Sequence, residues 1–385
     1  MTSLIYRPLL KAVCIAAMWL LSTFTISAQP HKYHFDPKCP AVHDPVMALG
    51  EDGRYYIFST GMGISVMSSS DLEVWRKEKP VFGREDLQWA RDSIKGFRGH
   101  VWAPDICRRD GKWWLYYSCS TFGKNRSAIG VATNKTLDPT SPDYKWEDQG
   151  AVIFSHPHKD KWNAIDPNFI TDHETGEEYL TFGSFWDGIQ LLPLQDGMRK
   201  TEQGKPVKPT TIARRIPIKE KASATVPDGS PSGSATDDTE AGAPHDHEPG
   251  KAADGVKGEK PENAIEAPFI IYNDGYYWLF VSWDYCCRGK LSTYRTVYGR
   301  SRNIKGPYLD MDGKDMAQGG GTLLIGPSEE FYGIGHCSVY RVVRMDNEWY
   351  FVAHAYDASR NGNARLYMKK LKFSSNGVEV ADNER

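Results

Sequence analysis

The chain has 385 residues, 40% of them hydrophobic, with 47 basic against 49 acidic side chains and a formal net charge of −2. That length and apolar content suit one large domain or two ordinary ones with a real core, and they exclude a chain that is disordered throughout. The slight acidic balance argues against a nucleic-acid partner.

Taken in chain order, residues 1–28 read as a secretory signal peptide. Arg7 and Lys11 flank the apolar run Ala12 to Leu21, and Ile26-Ser27-Ala28 offers small residues at a cleavage point. The run is too short to span a bilayer, no cysteine lies at the cleavage point for lipid attachment, and no later stretch is apolar for long enough to anchor the chain. The mature protein is expected to be a soluble monomer without a membrane anchor, secreted or periplasmic. Its remaining cysteines, Cys39, Cys107, Cys119, Cys286, Cys287 and Cys337, are too scattered for a disulfide scaffold, so burial is expected over bridging.

From residue 29 to 385 a single phrase recurs: a turn entering a strand, a polar hairpin tip, then an aromatic strand. The copies read HDPVMALGEDGRYYIFST from His43, WAPDICRRDGKWWLYYSCS from Trp102, IDPNFITDHETGEEYLTFGSF from Ile165, EAPFIIYNDGYYWLFVSW from Glu266 and GHCSVYRVVRMDNEWYFVAH from Gly335. Proline stands at the entrance of all but the last, where its missing N–H need not join a ladder. Asp52-Gly53, Asp110-Gly111 and Asp274-Gly275 are strong short-hairpin signals. Weaker third and fourth strands follow, with Ile64 to Met67 before Trp75, Ile129 to Ala132 before Trp146, and Val297 to Arg300 before Tyr308. Four strands per copy describe a propeller blade, so the fold predicted is all-β, a five-bladed β-propeller in one domain.

The third and fourth copies stand further apart than the others. Between Asp187 and Pro268 there is no Phe, Tyr or Trp, although 12% of the chain is aromatic. A polar low-complexity insertion over about 199–262 is therefore expected, a disordered surface loop within the domain. Its His245-Asp246-His247-Glu248 cluster reads as solvated tail, with adventitious metal binding the alternative.

First strands of propeller blades line the central channel, so equivalent positions of different copies meet around the axis. The residue before the entrance proline is Asp44, Ala103, Asp166 and Ala267 in turn, with His336 in that place in the fifth copy and Glu266 one position before Ala267. Three carboxylates, Asp44, Asp166 and Glu266, are thus expected to converge. Like charges brought together raise at least one pKa, as general acid catalysis requires, and paired carboxylates point to glycoside hydrolysis. Trp102, Phe122, Phe185 and Trp186 are candidates for stacking on sugar faces, and Asn163, Asn168 and Ser184 for bonding hydroxyls. His336 either holds an ion or its water shell, or is a hydrogen-bonded channel histidine. Adjacent Cys286-Cys287 lacks metal-site spacing and reads as packing or a strained loop feature.

The ordered set HDP, GHVWAPD, STFG, NAIDP, GSFW, AIEAPF with DYCCRG, and GHCSV resembles the endo-arabinanases of glycoside hydrolase family 43, over His43 to about Tyr356. The resemblance implies a five-bladed propeller and an inverting mechanism with Asp44 as general base, Glu266 as general acid and Asp166 setting the acid's pKa and orientation. An inverting pair stands roughly 6.5–9.5 Å apart to admit water. It further implies sugar contacts at Gly123, at Asn163, Ala164, Ile165 and Asp166, and at Ser184, Phe185 and Trp186, with an ion, usually calcium, near His336 and no organic cofactor. The activity expected is endo-hydrolysis of α-1,5-linked arabinan. The alternatives are an exo-acting arabinofuranosidase or β-xylosidase of the same family, and a propeller that binds glycans without turnover.

Overall fold

Five antiparallel sheets follow one another along the chain. The computed structural model describes residues 35–215 and 263–381, and the sheets belong to the unit that starts at Asp36. The signal-peptide reading and the His245 to Glu248 cluster lie outside the described residues. Blade 1 holds Val46–Leu49, Tyr55–Ser59, Ser65–Ser69 and Arg76–Lys77. Blade 2 holds His100–Arg109, Lys112–Cys119, Ser127–Asn134 and Glu147–Ser155. Blade 3 holds Asn168–Thr171, Glu178–Phe182, Ile189–Gln195 and Thr210–Ala213. Blade 4 holds Ile265–Asn273, Tyr276–Trp283, Arg295–Ser301 and Thr322–Ile325. Blade 5 holds Phe331–Val342, Glu348–Asp357, Asn363–Ser374 and Gly377–Val380.

The innermost strand of each blade touches that of the next, and the fifth returns to the first. Ser338 Oγ donates to the Pro45 carbonyl at 3.0 Å across that closure. Large side chains fill the wedges between blades, which explains the aromatic content. Phe58 and Tyr117 pack between blades 1 and 2, Tyr116 and Phe182 between 2 and 3, Ile189 and Leu279 between 3 and 4, and Trp278 and Phe351 between 4 and 5.

Three sequence expectations need adjustment. Asp110-Gly111 and Asp274-Gly275 are two-residue turns with both residues at positive φ, as type I′ hairpins require. The loop containing Asp52-Gly53 is longer, running between paired Leu49 and Tyr55, with only Gly53 at positive φ. The outer strand of blade 4 is Thr322–Ile325, not the segment at Tyr308, which is buried as a core residue. The insertion also begins later than about 199. Thr201–Glu202 and Lys205–Pro206 form a hairpin, and Thr210–Ala213 pairs with Ile189–Gln195 as the outer strand of blade 3. An outer strand has one edge in water and reads as polar for that reason, yet Ile212 and Ala213 reach the core.

At the inner end of each blade the chain makes the same unusual turn. Asp44, Ala103, Asp166, Ala267 and His336 all adopt left-handed backbone, with φ of 53°, 46°, 59°, 54° and 48°. Each such residue costs on the order of 1–3 kcal/mol unless its surroundings hold it. What holds it is the preceding blade, through a hydrogen bond to the backbone N–H. Ala103 N–H donates to Thr60 Oγ1 at 2.8 Å, Asp166 N–H to Ser118 Oγ at 2.9 Å, His336 N–H to Ser282 Oγ at 2.8 Å and Asp44 N–H to His354 Nδ1 at 3.1 Å. Thr60, Ser118, Ser282 and His354 occupy one repeat position, each paired with the residue just before its own blade's left-handed turn. In blade 3 that position is Gly183, whose φ is 129° and where a Cβ would meet the Gly188 carbonyl oxygen at 2.5 Å. With no side chain available there, Ala267 N–H donates to Asp166 Oδ2 instead, at 3.2 Å.

Candidate active site

The three acids of the repeat alignment do meet at the centre, with His336 among them. His336 Nδ1 lies 3.0 Å from Asp44 Oδ1, and its charge acts on Asp166 and Glu266 as well. Asp166 is joined to the chain beside Glu266 through the Ala267 N–H. Glu266 is bound at both oxygens: Ser184 Oγ donates to Oε2 and Tyr294 OH to Oε1, each at 2.7 Å.

These environments push the carboxylates in opposite directions. Burial raises the Asp44 pKa, but the His336 charge and hydrogen bond, with further help from His354 and His43, outweigh it and hold Asp44 well below the carboxylate range. Burial raises Asp166 far above that range; His336 opposes, while the charges of Glu266 and Asp44 add to the rise. Burial also raises Glu266, against the hydrogen bonds from Tyr294 and Ser184 that favour its ionised form. His336 is itself lifted to about 9, because Asp44 and Asp166 together outweigh burial. One ionised carboxylate beside others pushed toward the protonated form is the division of labour that acid–base hydrolysis of a glycoside needs.

Thr60 adds a second hold on Asp44. Its Oγ1 donates to Asp44 Oδ2 at 2.5 Å while accepting the Ala103 N–H, so one hydroxyl ties the base of blade 1 to the turn of blade 2. His43, Asp44 and His354 bring ligand atoms within 4.8 Å of one another. Several of the donor atoms are already engaged: His354 Nδ1 accepts the Asp44 N–H, and both Asp44 oxygens have partners. Calcium takes six to eight oxygen ligands, and a set of two imidazoles and one carboxylate does not fit its direct coordination.

The family model for Glycosyl hydrolases family 43 matches this chain over residues 40–230 and 241–378. The chain belongs to glycoside hydrolase family 43. Among its relatives, the extracellular exo-α-(1→5)-L-arabinofuranosidase ArbA of Cellvibrio japonicus is 44% identical, covering 86% of this chain and 82% of its own. The extracellular endo-α-(1→5)-L-arabinanase 1 of Bacillus subtilis is 34% identical, covering 91% of each. The crystal structure of an exo-1,5-α-L-arabinanase from a bovine ruminal metagenomic library superimposes with a TM-score of 0.75 at 46% identity, covering 91% of this chain and all of that one.

The other residues singled out from the family-43 phrases divide into two groups. Ser184 stands at the centre on Glu266, and Phe185 and Trp186 follow it half-buried in left-handed backbone, with the Phe185 N–H held by the Ile265 carbonyl at 2.8 Å. Asn163, Ala164 and Ile165 are buried and lead into Asp166. Asn163 Oδ1 accepts from Ser127 Oγ at 2.7 Å, so that oxygen holds blade 2 to the approach of blade 3. Asn168 is likewise structural, accepting the Ile270 N–H at 2.8 Å. Trp102 is half-buried and donates its indole N–H to His100 Nδ1 at 2.9 Å. Phe122 and Gly123 lie on an exposed loop, with Phe122 77% accessible.

Thr60, Tyr294 and His354 were not anticipated from the sequence of this family-43 chain. Thr60 and His354 had a signal, their shared repeat position with Ser118 and Ser282; Tyr294 had none, since it lies outside the aligned phrases. All six cysteines in the described residues are free. Cys287 is exposed and adopts left-handed backbone, with φ 63°. Its thiol is pulled down to about 5 by hydrogen bonding from Cys286, with the help of His43.

Proposed function

We propose that this enzyme hydrolyses α-1,5-linked L-arabinan by single displacement with inversion. The observation that carries the proposal is the split among the central acids, Asp44 held ionised by His336 and Glu266 pushed toward its protonated form. Glu266 gives its proton to the departing glycosidic oxygen as that bond breaks. Asp44 accepts a proton from the water that attacks the anomeric carbon from the other face. Asp166 competes with Glu266 for ionisation, since the charge of Glu266 raises Asp166, and it holds the Ala267 turn, which fixes where Glu266 points. Arabinan as substrate is supported by the arabinan-cleaving activities of relatives 34% to 46% identical. Export through residues 1–28 accords with the extracellular naming of two of them. A calcium ion, where bound, would stand near His336, and no step passes through it.

Endo attack is the reading that the STFG, GSFW and CCRG phrases suggested. Exo attack has a specific observation in its favour: the relatives at 44% and 46% identity carry exo activities, and the endo-arabinanase stands at 34%. On linear arabinan, short oligomers in the first minutes establish endo action and a small product of fixed length establishes exo action. Glu266→Gln tests the chemistry. It should cost roughly 10²–10⁴-fold on arabinan and far less on an aryl arabinofuranoside whose leaving group needs no proton. An equal loss on both substrates would remove Glu266 from the acid role.

A further inference from the structure

At the repeat position that supplies a hydroxyl in blades 1, 2 and 4, blade 5 places a histidine. His354 is fully buried. Its Nδ1 accepts the Asp44 N–H at 3.1 Å and lies 3.5 Å from Asp44 Oδ1. Its ring stacks on Tyr294, with centroids 5.8 Å apart and planes inclined by 28°, and Tyr294 donates to Glu266. His43 and Tyr356 pack on it with centroids at 4.6 Å and 5.3 Å.

We infer that His354 is a positioning residue that sets the general base and the general acid relative to one another, holding Asp44 through its backbone and Glu266 through the stacked Tyr294. The inference rests on the roles proposed above for Asp44 and Glu266. Serine or threonine would satisfy the Asp44 N–H as well, as they do elsewhere in the ring, so the latch alone does not call for an imidazole. What the imidazole adds is a rigid plane reaching from the Asp44 turn to the tyrosine that binds the acid.

The hydrogen bond also fixes the state of the ring. An Nδ1 that accepts an N–H carries its lone pair there, so the proton sits on Nε2 and the ring is neutral. Burial, followed by the nearby His43 charge, likewise pushes His354 well below the usual histidine range. The 3.5 Å approach of Nδ1 to Asp44 Oδ1 is therefore a contact between two lone-pair-bearing atoms and not an ion pair. The two histidines beside Asp44 divide the work: His336 supplies charge and His354 supplies geometry. Nε2 of His354 has no protein partner among the described residues, so nothing on its far side competes for the ring's orientation.

The test compares His354→Leu and His354→Gln in the full-length enzyme on linear arabinan. His354→Leu leaves the Asp44 N–H without an acceptor and should lower kcat about 100-fold with KM changed less than about threefold. His354→Gln restores an acceptor oxygen and should recover at least a tenth of the wild-type kcat. Its acidic pH–rate limb should stay within about 0.3 unit of wild type, because no charge has been removed. Three results would overturn the inference: a wild-type kcat in folded His354→Leu, a loss that falls on KM alone, or an acidic limb that climbs by a unit or more in His354→Gln. If His354→Leu does not fold, the kcat and pH profile of His354→Gln decide. Asp44→Ala is assayed alongside; activity retained there would instead sink the base assignment on which the inference rests.

Discussion

Tyr294→Phe should move the alkaline limb of the pH–rate profile upward, extending activity into more basic solution. Tyr294 OH and Ser184 Oγ each donate to one oxygen of Glu266 at 2.7 Å. Both bonds favour the carboxylate, so both hold the acid's pKa below the level that burial would set. A hydrogen bond to a charged acceptor is worth roughly 1.5–3 kcal/mol, but protonated Glu266 still accepts a weaker bond from the same hydroxyl. Only the difference moves the pKa, and about 1.4 kcal/mol corresponds to one unit. The expected rise is about one unit for Tyr294→Phe, and similarly for Ser184→Ala. Because the two bonds share one carboxylate, the shift of the double variant measured against the sum of the singles reads their coupling. The assay is kcat/KM on arabinan between about pH 5 and 10. An alkaline limb that stays in place in both single variants would mean that Glu266 is not the group whose proton is being lost. A limb that falls would reverse the sign of the whole electrostatic account.

His336→Gln removes the cation beside Asp44. The folded pKa of about 9 lies above the roughly 6.5 of an unfolded histidine. The stability it contributes is thus complete below pH 6.5 and lost as pH rises through 9, about 3 kcal/mol in all. Urea midpoints should decline over that window in the wild type and decline less in His336→Gln; equal slopes would mean that His336 is not the charged group. Ser118→Ala strips the acceptor from the strained Asp166 turn and should cost about 1–2 kcal/mol, read by urea denaturation at pH 6. No loss would show that the left-handed turn is held by packing alone.

Much of this was legible in the sequence because a propeller repeats itself. Once HDP, WAPD, IDP, EAP and GHC stand in one register, the residue before each entrance proline has to face the axis, and Asp44 and Asp166 follow, with Glu266 one position before Ala267. The register also contained what was overlooked. Thr60, Ser118, Ser282 and His354 fall on one line of the same alignment, but a serine at the end of a strand carries no obvious chemistry until the N–H it binds is seen to belong to the next blade. Tyr294 lies beyond the repeat, in the segment that leads into Arg295–Ser301, and only folding brings it to Glu266. The outer strands escaped for a different reason. Thr210–Ala213 and Thr322–Ile325 form the solvent-side edges of their sheets, where alternation weakens and polar residues are tolerated.

The device that closes the ring and the device that sets the chemistry are one device, and blade 3 shows how they are coupled. Its latch position is Gly183, where no side chain fits, so the Ala267 turn would lose its support if Asp166 were not already turned toward it. Asp166 therefore carries two duties, an ionisable group that competes with Glu266 for charge and an acceptor for the N–H that orients Glu266. Alanine at 166 removes both, and whatever it does to activity cannot be assigned to either. Asparagine keeps an acceptor oxygen while discarding the charge, so the difference between Asp166→Asn and Asp166→Ala isolates the latch, and the difference between Asp166→Asn and the wild type isolates the electrostatics. A carboxylate pushed up in pKa by burial in the middle of a fold is expensive. Its presence here follows from the one position in the ring where a hydroxyl could not be placed.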